Sequence, residues 1–140
     1  MATALNPTGP AAGERLPDLV RTIELADMVA YGGATWDWHR LHYDQAYVAA
    51  RGLAAPVVDG QMLGALLAEQ ALDWAGPRAF VRRLRFRLRS MVAAGETVRC
   101  EAVVAGLSGE DGLLVIRLDQ RVLVGERLVA DGGAEVTRPS

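Results

Sequence analysis

The residues with the clearest chemical potential lie in one short segment, which runs from Thr35 to Asp44. It contains both histidines of the chain and places the carboxylate of Asp37 five residues before His42. A carboxylate and an imidazole are side chains that often transfer protons in enzymes. Farther along, Asp59-Gly60-Gln61-Met62 opens a long apolar helical pattern, and the N-terminus of a helix stabilises negative charge. An acid, a base and a helix N-terminus suit the addition of water to a double bond conjugated with a carbonyl group, or its removal.

The residues alone leave the role of His42 open, because an isolated histidine is more often structural than catalytic. In this segment, however, Trp36 and Trp38 flank Asp37. Apolar rings beside ionisable groups shift the pKa values of those groups towards the working pH. Asp44 also has two interpretations, as a helix cap or as a further residue of the site.

The composition excludes several classes of protein. The chain has 140 residues, a formal net charge of −2 and 51% apolar residues, which indicates one globular domain and not a nucleic-acid-binding or disordered protein. The single cysteine, Cys100, excludes an internal disulfide and favours a cytoplasmic location. Residues 1–15 lack the basic and apolar regions of a signal peptide, so we expect a flexible leader before one domain over residues 16–140. No apolar run approaches the roughly 20 residues that cross a bilayer, and no membrane partner is expected.

A run of arginines also needs an interpretation. Arg83, Arg85, Arg87 and Arg89 alternate with apolar residues, which predicts the solvated face of a strand and not a nucleic-acid surface. Alternatively, one or two of these arginines bind the phosphate groups of a carrier such as coenzyme A. With one cysteine and two histidines, no structural metal site is expected. The sequence also lacks the serine-hydrolase, phosphate-loop and dinucleotide-binding motifs.

Helical patterns occupy most of the first half of the chain. Residues 16–25 predict a first strand, and the helix that follows should break at Gly32-Gly33. Asp44 as N-cap and Gly52 after the last turn predict a two-turn helix over residues 45–51. Residues 60–74 are apolar on nearly all sides, so this longer helix should be buried.

The second half has the alternating pattern of strands. They are predicted over residues 83–89, 97–104, 113–124 and 127–136, with a turn-rich stretch over 106–112. Because a single apolar helix must cover a long antiparallel sheet, the sheet should curl around that helix. The sequence therefore predicts an α+β fold, one domain whose antiparallel sheet wraps around one long central helix.

The segment from Asp37 to Met62 resembles the signature of MaoC-like dehydratases and (R)-specific enoyl-CoA hydratases, which have the hot-dog fold. That signature reads roughly Gly-Asp-x-Asn-Pro-Leu-His, then an apolar stretch, then Pro-[Ile/Val]-[Val/Ala]-His-Gly-Met. Asp37 and His42 hold the Asp and His places, Pro56-Val57-Val58 matches the lead-in, and Gly60 holds the glycine place without a gap. The resemblance extends, more loosely, over roughly residues 16–138.

Three positions depart from the family pattern. His39 and Arg40 replace Asn-Pro, Asp59 replaces the histidine before the glycine, and Ala68 stands where some members carry a serine. A carboxylate at Asp59 would oppose a negative charge that develops beside it. This conflict is avoided if Asp59 caps the helix with its oxygen turned to backbone N–H groups, and we favour the cap.

The resemblance implies a function, the reversible hydration of a trans-2-enoyl thioester to a 3-hydroxyacyl thioester. It implies no cofactor, and the acyl carrier would be coenzyme A or the phosphopantetheine of an acyl carrier protein. Asp37 and His42 would hold one water, with Asp37 as base and His42 as acid during hydration, and the N–H of Gly60 would receive the charge on the thioester oxygen. The residues expected to contact the substrate are Tyr31, Trp36, Trp38, His39 and Tyr43.

The resemblance also implies that the chain pairs with another subunit. One hot-dog domain has too little sheet to enclose an acyl tunnel, so we expect a homodimer, or a heterodimer with a similar hot-dog subunit. Two other functions remain open. A thioesterase of the same fold would direct a water at the carbonyl carbon, but the pairing of His42 with Asp37 argues against it. A non-catalytic partner of another dehydratase is the second, although the intact pair favours the active half.

Overall fold

The computed structural model describes residues 9–140. Of the predicted flexible leader, residues 1–8 lie outside this range. The backbone N–H groups of Gly13 and Leu16 donate to the carbonyl oxygens of Val104 and Ala102, at 2.8 and 3.0 Å. The segment just before the domain therefore lies against the sheet from Gly13 onwards.

The core of the structure is one antiparallel sheet of five strands. The strands are β1 (Leu19–Thr22), β2 (Phe80–Leu88), β3 (Thr97–Glu110), β4 (Leu113–Val124) and β5 (Arg127–Pro139). Their spatial order is β1-β3-β4-β5-β2, and every neighbouring pair is antiparallel. Small and β-branched residues of the central strands point to one face and are almost fully buried, among them Val98, Cys100, Val122 and Val136.

Three helices lie between β1 and β2. They are α1 (Leu25–Thr35), α2 (Gln45–Ala49) and α3 (Gly60–Ala75). The longest, α3, packs on the inner face of the sheet, and its residues Leu66 and Leu67 are 6% and 0% exposed. The predicted α+β architecture, an antiparallel sheet around one long helix, is confirmed.

Helix α3 lies close to strand β2 because two of its residues are glycines. A Cβ atom at Gly60 would collide with the side chain of Leu88, and one at Gly64 would collide with the ring of Phe86. The glycines therefore let two large side chains of β2 approach the helix backbone. Arg83, Arg85 and Arg87 of β2, and Arg89 just after it, are exposed, as predicted.

Leu67→Ala should show how much α3 contributes to stability. Leu67 is fully buried among residues of both α3 and the sheet. Its truncation is expected to lower the free energy of unfolding by about 2–5 kcal/mol, since it removes apolar burial and leaves a cavity. Leu72→Ala on the same helix, at a position that is 36% exposed, is the control and should cost much less. Urea denaturation of the two variants measures the difference, and equal losses would contradict the burial of α3.

Two predictions about turns were wrong. Helix α1 does not break at Gly32-Gly33 but continues to Thr35. A Cβ atom at Gly32 would lie 2.8 Å from the carbonyl oxygen of Asp37 and close to the ring of Trp38. Position 32 therefore needs a residue without a side chain, because the chain folds back against α1 immediately after the helix ends.

The second wrong prediction is the turn-rich stretch over residues 106–112. Strands β3 and β4 continue to Glu110 and from Leu113, and only Asp111 and Gly112 form the turn, with φ angles of 49° and 77°. Positive φ at both positions is the geometry of the tight two-residue hairpin. Gly106 follows a local irregularity in the β3–β4 pairing, so it accommodates a bulge and not a loop.

Candidate active site

Asp37 lies just beyond the end of α1, where the chain reverses. Trp36 ends the helix with φ 60° and ψ 30°, in the left-handed region. The N–H of Asp37 then donates to the carbonyl oxygen of Gly32 at 3.0 Å. This turn holds the backbone of Asp37 against the last turns of α1, so its position is determined by the helix and not by a free loop.

The side chain of Asp37 is held by the residues that follow. Its Oδ1 accepts the N–H of His39 at 3.2 Å. The Nδ1 of His39 accepts the N–H of Leu41 at 3.1 Å, which begins a short 3-10 turn over Arg40–His42. His39 therefore orients both Asp37 and the turn that carries His42, and its own ring is used in that turn.

His42 is fixed by the segment that leads into α3. Its Nδ1 lies 2.7 Å from the carbonyl oxygen of Val57, and the N–H of Val57 donates to the carbonyl oxygen of Leu41 at 2.9 Å. A carbonyl oxygen can only accept a hydrogen bond, so Nδ1 of His42 carries a proton. In the neutral ring, Nε2 is then free to accept.

The free nitrogen of His42 faces Asp37. Its Nε2 lies 3.8 Å from Oδ2 of Asp37, which is too long for a direct hydrogen bond. The pKa of the Asp37 carboxyl is lowered, first by the hydrogen bond from the N–H of His39 and further by the Asp59 carboxyl and the two histidines. Oδ2 of Asp37 and Nε2 of His42 therefore face the same space, and when the ring is neutral both atoms can accept a hydrogen bond.

That space is a narrow crevice between α1, the 3-10 turn and the start of α3. Its walls are formed by Met28, Tyr31, Gly32, Asp37, His42, Asp59 and Met62. The pKa of the Tyr31 hydroxyl is raised, mainly by burial and also by the charges of Asp59 and Asp37. Tyr31 therefore presents a neutral hydroxyl group to the two carboxyl groups.

The N-terminus of α3 borders the cavity. Asp59 is its N-cap, with Oδ1 accepting the N–H of Gln61 at 2.9 Å, so the predicted cap is confirmed. Within residues 9–140, no hydrogen bond uses the N–H of Gly60. A free N–H at the positive end of a 16-residue helix can bind a developing negative charge.

The structure brings together only part of the predicted site. Asp37, His42 and Tyr31 line the cavity, and Gly60 adjoins it through Asp59. Four residues expected to bind substrate do not line it, namely Trp36, Trp38, His39 and Tyr43. Trp36 is 81% exposed. The ring of Trp38 lies edge to face against the rings of Trp36 and Tyr43, with centroids 6.3 Å apart in both pairs. The role of these four residues in substrate binding stays a prediction.

Sequence reasoning missed three residues of the cavity and undervalued a fourth. Met28 lies three residues before Tyr31 on α1, and this spacing, which places two side chains on one helical face, could have revealed it. Met62 belongs to the motif that carries Gly60. The sequence gave no sign that Gly32 forms a wall, because its contact depends on the reversal after α1. Asp59 was expected to cap the helix with its oxygen turned to the backbone, and its carboxyl group lines the cavity as well.

The same residues define where a cation could bind. One ligand atom from each of Asp37, His42 and Asp59 lies within 4.8 Å of the other two. Such spacing would allow one divalent cation, or one water molecule, to contact all three groups.

Across residues 9–140, no helix is both long and apolar enough to span a membrane.

Comparisons with known proteins agree with this geometry. A family model described as MaoC like domain matches residues 9–126. The beta subunit of 3-oxo-4,17-pregnadiene-20-carboxyl-CoA hydratase from Mycobacterium tuberculosis is 27% identical over 118 residues, which is 84% of this chain and 90% of the relative.

Solved structures extend the likeness to the fold. The (R)-hydratase from A. caviae involved in PHA biosynthesis superposes with a TM-score of 0.84 at 23% identity, over 93% of this chain and 98% of that one. The ChsH1-ChsH2 complex from Mycobacterium tuberculosis gives a TM-score of 0.77 at 24% identity, over 91% and 98% of the respective chains. The hot-dog fold implied by the sequence resemblance is confirmed.

Proposed function

The chain belongs to the MaoC-like domain family, and we propose that it catalyses the reversible addition of water to a trans-2-enoyl thioester. The observation that carries the proposal is the convergence of Asp37 Oδ2 and His42 Nε2, 3.8 Å apart, beside the N-terminus of α3. Because Val57 holds the proton of His42 on Nδ1, both converging atoms accept hydrogen bonds. A water between them would donate one hydrogen atom to each and direct an oxygen lone pair at the substrate.

The hydration step follows from this arrangement. The water oxygen forms a bond to C3 of the enoyl group, one O–H bond breaks, and its proton passes to Nε2 of His42. The same proton then moves from Nε2 to C2, which completes the 3-hydroxyacyl product and restores the neutral ring. Both additions come from the same side of the substrate, so they should be syn.

The two acceptors have different roles in this sequence. An imidazole is ordinarily a stronger base than a carboxylate, and the pKa of Asp37 is lowered further by its hydrogen bond from His39. We therefore favour His42 as the group that accepts and returns the proton, while Asp37 orients the water and stabilises the transient imidazolium. The sequence resemblance led instead to Asp37 as the base and His42 as the acid. Both assignments use the same two residues and the same water, and they differ in which side chain first accepts the proton.

Negative charge reaches the thioester oxygen as C3 is attacked. The N–H of Gly60 is the group proposed to receive it, because it is free within residues 9–140 and lies at the N-terminus of α3. The removal of one such donor typically costs about 3–4 kcal/mol of activation free energy. No cofactor is required for this chemistry, since the substrate's own carbonyl group takes up the electron pair.

The thioesterase alternative shares the fold and can be separated by one assay. We expect incubation with crotonyl-CoA to remove the enone absorbance without release of free thiol. Release of thiol would indicate hydrolysis of the thioester and contradict the proposed function. If neither signal changes, enoyl thioesters of other chain lengths, attached to coenzyme A or acyl carrier protein, are compared in the same assay. Failure across that set would leave the chain as a non-catalytic subunit.

We further propose that the chain works as a pair of hot-dog subunits. Strand β2 lies at one edge of the sheet and, within the described part of the chain, pairs only with β5. A nine-residue edge with one free side is a surface onto which another strand can add. Similar solved chains come from complexes of two such subunits, the ChsH1-ChsH2 and HadBC complexes.

Sedimentation at micromolar concentration tests this assembly. We expect a homodimer, or a monomer that forms a heterodimer once its partner is added. The second subunit would complete the wall of the acyl channel near Trp36, Trp38 and Tyr43. A fully active monomer would contradict the pairing. The cytoplasmic location expected from the single cysteine stays a prediction.

A further inference from the structure

The edge strand β2 carries a row of like charges. Its residues Leu84 and Phe86 pack against the core. Because successive side chains of a strand point to opposite faces, Arg83, Arg85 and Arg87 lie on the outer face of the sheet, and all three are exposed. No acidic residue interrupts the strand. The three residues form the arginine row, with one positive charge at every second position of the edge.

The carboxylates of the neighbouring strand do not neutralise the arginine row. Strand β5 places a carboxylate opposite two of its members, but Glu135 is paired with Arg82 at 2.9 Å and Asp131 with Arg89 at 3.0 Å. Among residues 9–140, no carboxylate forms an ion pair with a member of the row. The row therefore keeps its charge available for another molecule.

The same edge also exposes apolar side chains. Phe80 and Leu88, the first and last residues of β2, are 68% and 52% exposed. Leu88 lies so close to Gly60 that a Cβ atom there would collide with it. A strand added to β2 would therefore cover apolar surface and reach the N-terminus of α3. The other edge of the sheet, β1, has only four residues.

A second copy of this chain is a poor match for the β2 edge. When two β2 strands pair antiparallel in one continuous sheet, their outer faces lie on the same side. Because the row repeats at every second position, each register that overlaps the two rows places arginine opposite or diagonal to arginine. Like charges directly opposite each other destabilise a strand pair, and such repulsion selects against the wrong partner.

We propose that strand β2 docks a different hot-dog subunit, whose own edge strand presents carboxylates, and not a second copy of this chain. This inference rests on the pairing of subunits proposed above and names the chemistry of the partner. Aspartate or glutamate at alternate positions of the partner's edge would meet the arginine row, while apolar residues of the partner cover Phe80 and Leu88. The charges select the partner, and the apolar ends supply contact area.

A copy of this chain with Arg83→Glu, Arg85→Glu and Arg87→Glu serves as the acidic partner. Mixed with the wild type at low salt, it should form mixed dimers with a Kd at least about tenfold below that of either homodimer. Added salt should reduce this preference. Both proteins carry a net negative charge, so their overall charges oppose the mixing and only local pairing can favour it. Sedimentation and native mass spectrometry, with a mass tag on one copy, measure the three dimers.

Two further comparisons separate the arginine row from a general effect of charge. The triple variant with glutamine at the same positions loses the repulsion without gaining attraction, so it should self-associate more tightly than the wild type. Arg85→Glu alone should also prefer the wild type over itself. Its matched control is Arg21→Glu on β1, at the opposite edge of the sheet, which should show no such preference. Thermal denaturation of each variant verifies that it is folded.

The outcomes distinguish the partner from the pairing itself. A wild-type homodimer as stable as the mixed dimer would confirm pairing and overturn the acidic partner. Monomers in every mixture would overturn both. If the row instead binds the phosphates of coenzyme A, the triple glutamate variant would lose affinity for free coenzyme A in calorimetry without forming mixed dimers, which also overturns the proposal. Because mass and not turnover is measured, none of these results depends on the hydration reaction.

Discussion

Asp37→Asn is expected to lower kcat on a confirmed enoyl thioester by roughly 10²–10⁴-fold, the range typical for loss of a group that takes part in proton transfer. The amide oxygen can still accept the N–H of His39, so the turn after α1 should form normally. The amide nitrogen, however, can only donate. Placed opposite Nε2 of His42, it would bind that nitrogen or repel the hydrogen atoms of the water, and it would carry no charge to stabilise an imidazolium.

The control for this substitution is Asp73→Asn, the same chemical change at an exposed position of α3. It should leave both kcat and the unfolding midpoint close to those of the wild type. Steady-state kinetics together with thermal denaturation separate a chemical effect from a folding effect. Wild-type turnover in Asp37→Asn would show that the segment from Trp36 to His42 is a structural turn and not a site.

His42→Ala should cause a loss of similar size, roughly 10²–10⁴-fold in kcat, because it removes the group proposed to carry the proton from water to C2. It should also destabilise the protein by about 1–3 kcal/mol, since the carbonyl group of Val57 loses its partner. The double variant with Asp37→Asn is expected to be little slower than either single variant, because residues that act as a unit are not additive. Two independent losses that multiply would contradict a shared water.

His39→Ala serves as the neighbouring control. The ring of His39 lies outside the cavity wall, and its Nδ1 bonds to the N–H of Leu41 at 3.1 Å. Its loss should loosen the turn and reduce the rate less than the loss of His42. A loss as large as that of His42→Ala would show that His39 takes part in the chemistry.

The elements that sequence patterns predicted best are those with local causes. Asp59 and Asp44 act as helix caps because each side chain bonds the N–H of a residue two or three positions later. Strand β4 begins and ends as predicted, because buried and exposed positions alternate along most of it. Such signals need no knowledge of the rest of the fold.

The failures have non-local causes. The Gly32-Gly33 pair predicts a break in the helix. The structure shows another reason for Gly32, because the carbonyl oxygen of Asp37 lies where a side chain would be. Trp36 and Trp38, on either side of Asp37, were predicted to contact the substrate. The left-handed backbone of Trp36 turns that residue outwards instead, where it is 81% exposed.

The residues of the cavity also differ in whether local or non-local features determine their positions. The motif spacing identified Asp37, His42 and Gly60, since these residues belong to contiguous signature segments. It did not reveal that the carboxyl groups of Asp59 and Asp37 line the same cavity, because they come together only when the start of α3 packs beside the end of α1. The shape of the cavity therefore depends on packing between distant segments, which sequence patterns could not supply.

Hydration of crotonyl-CoA in D₂O, followed by NMR of the product, tests most directly whether Asp37 and His42 add one water from one side. The account predicts 3-hydroxybutyryl-CoA with a single deuterium at C2, in one relative configuration, on the same face as the new hydroxyl group at C3. Deuterium on both faces of C2 would contradict addition by a single held water, and release of free coenzyme A in place of the hydroxyacyl product would contradict the hydratase function itself.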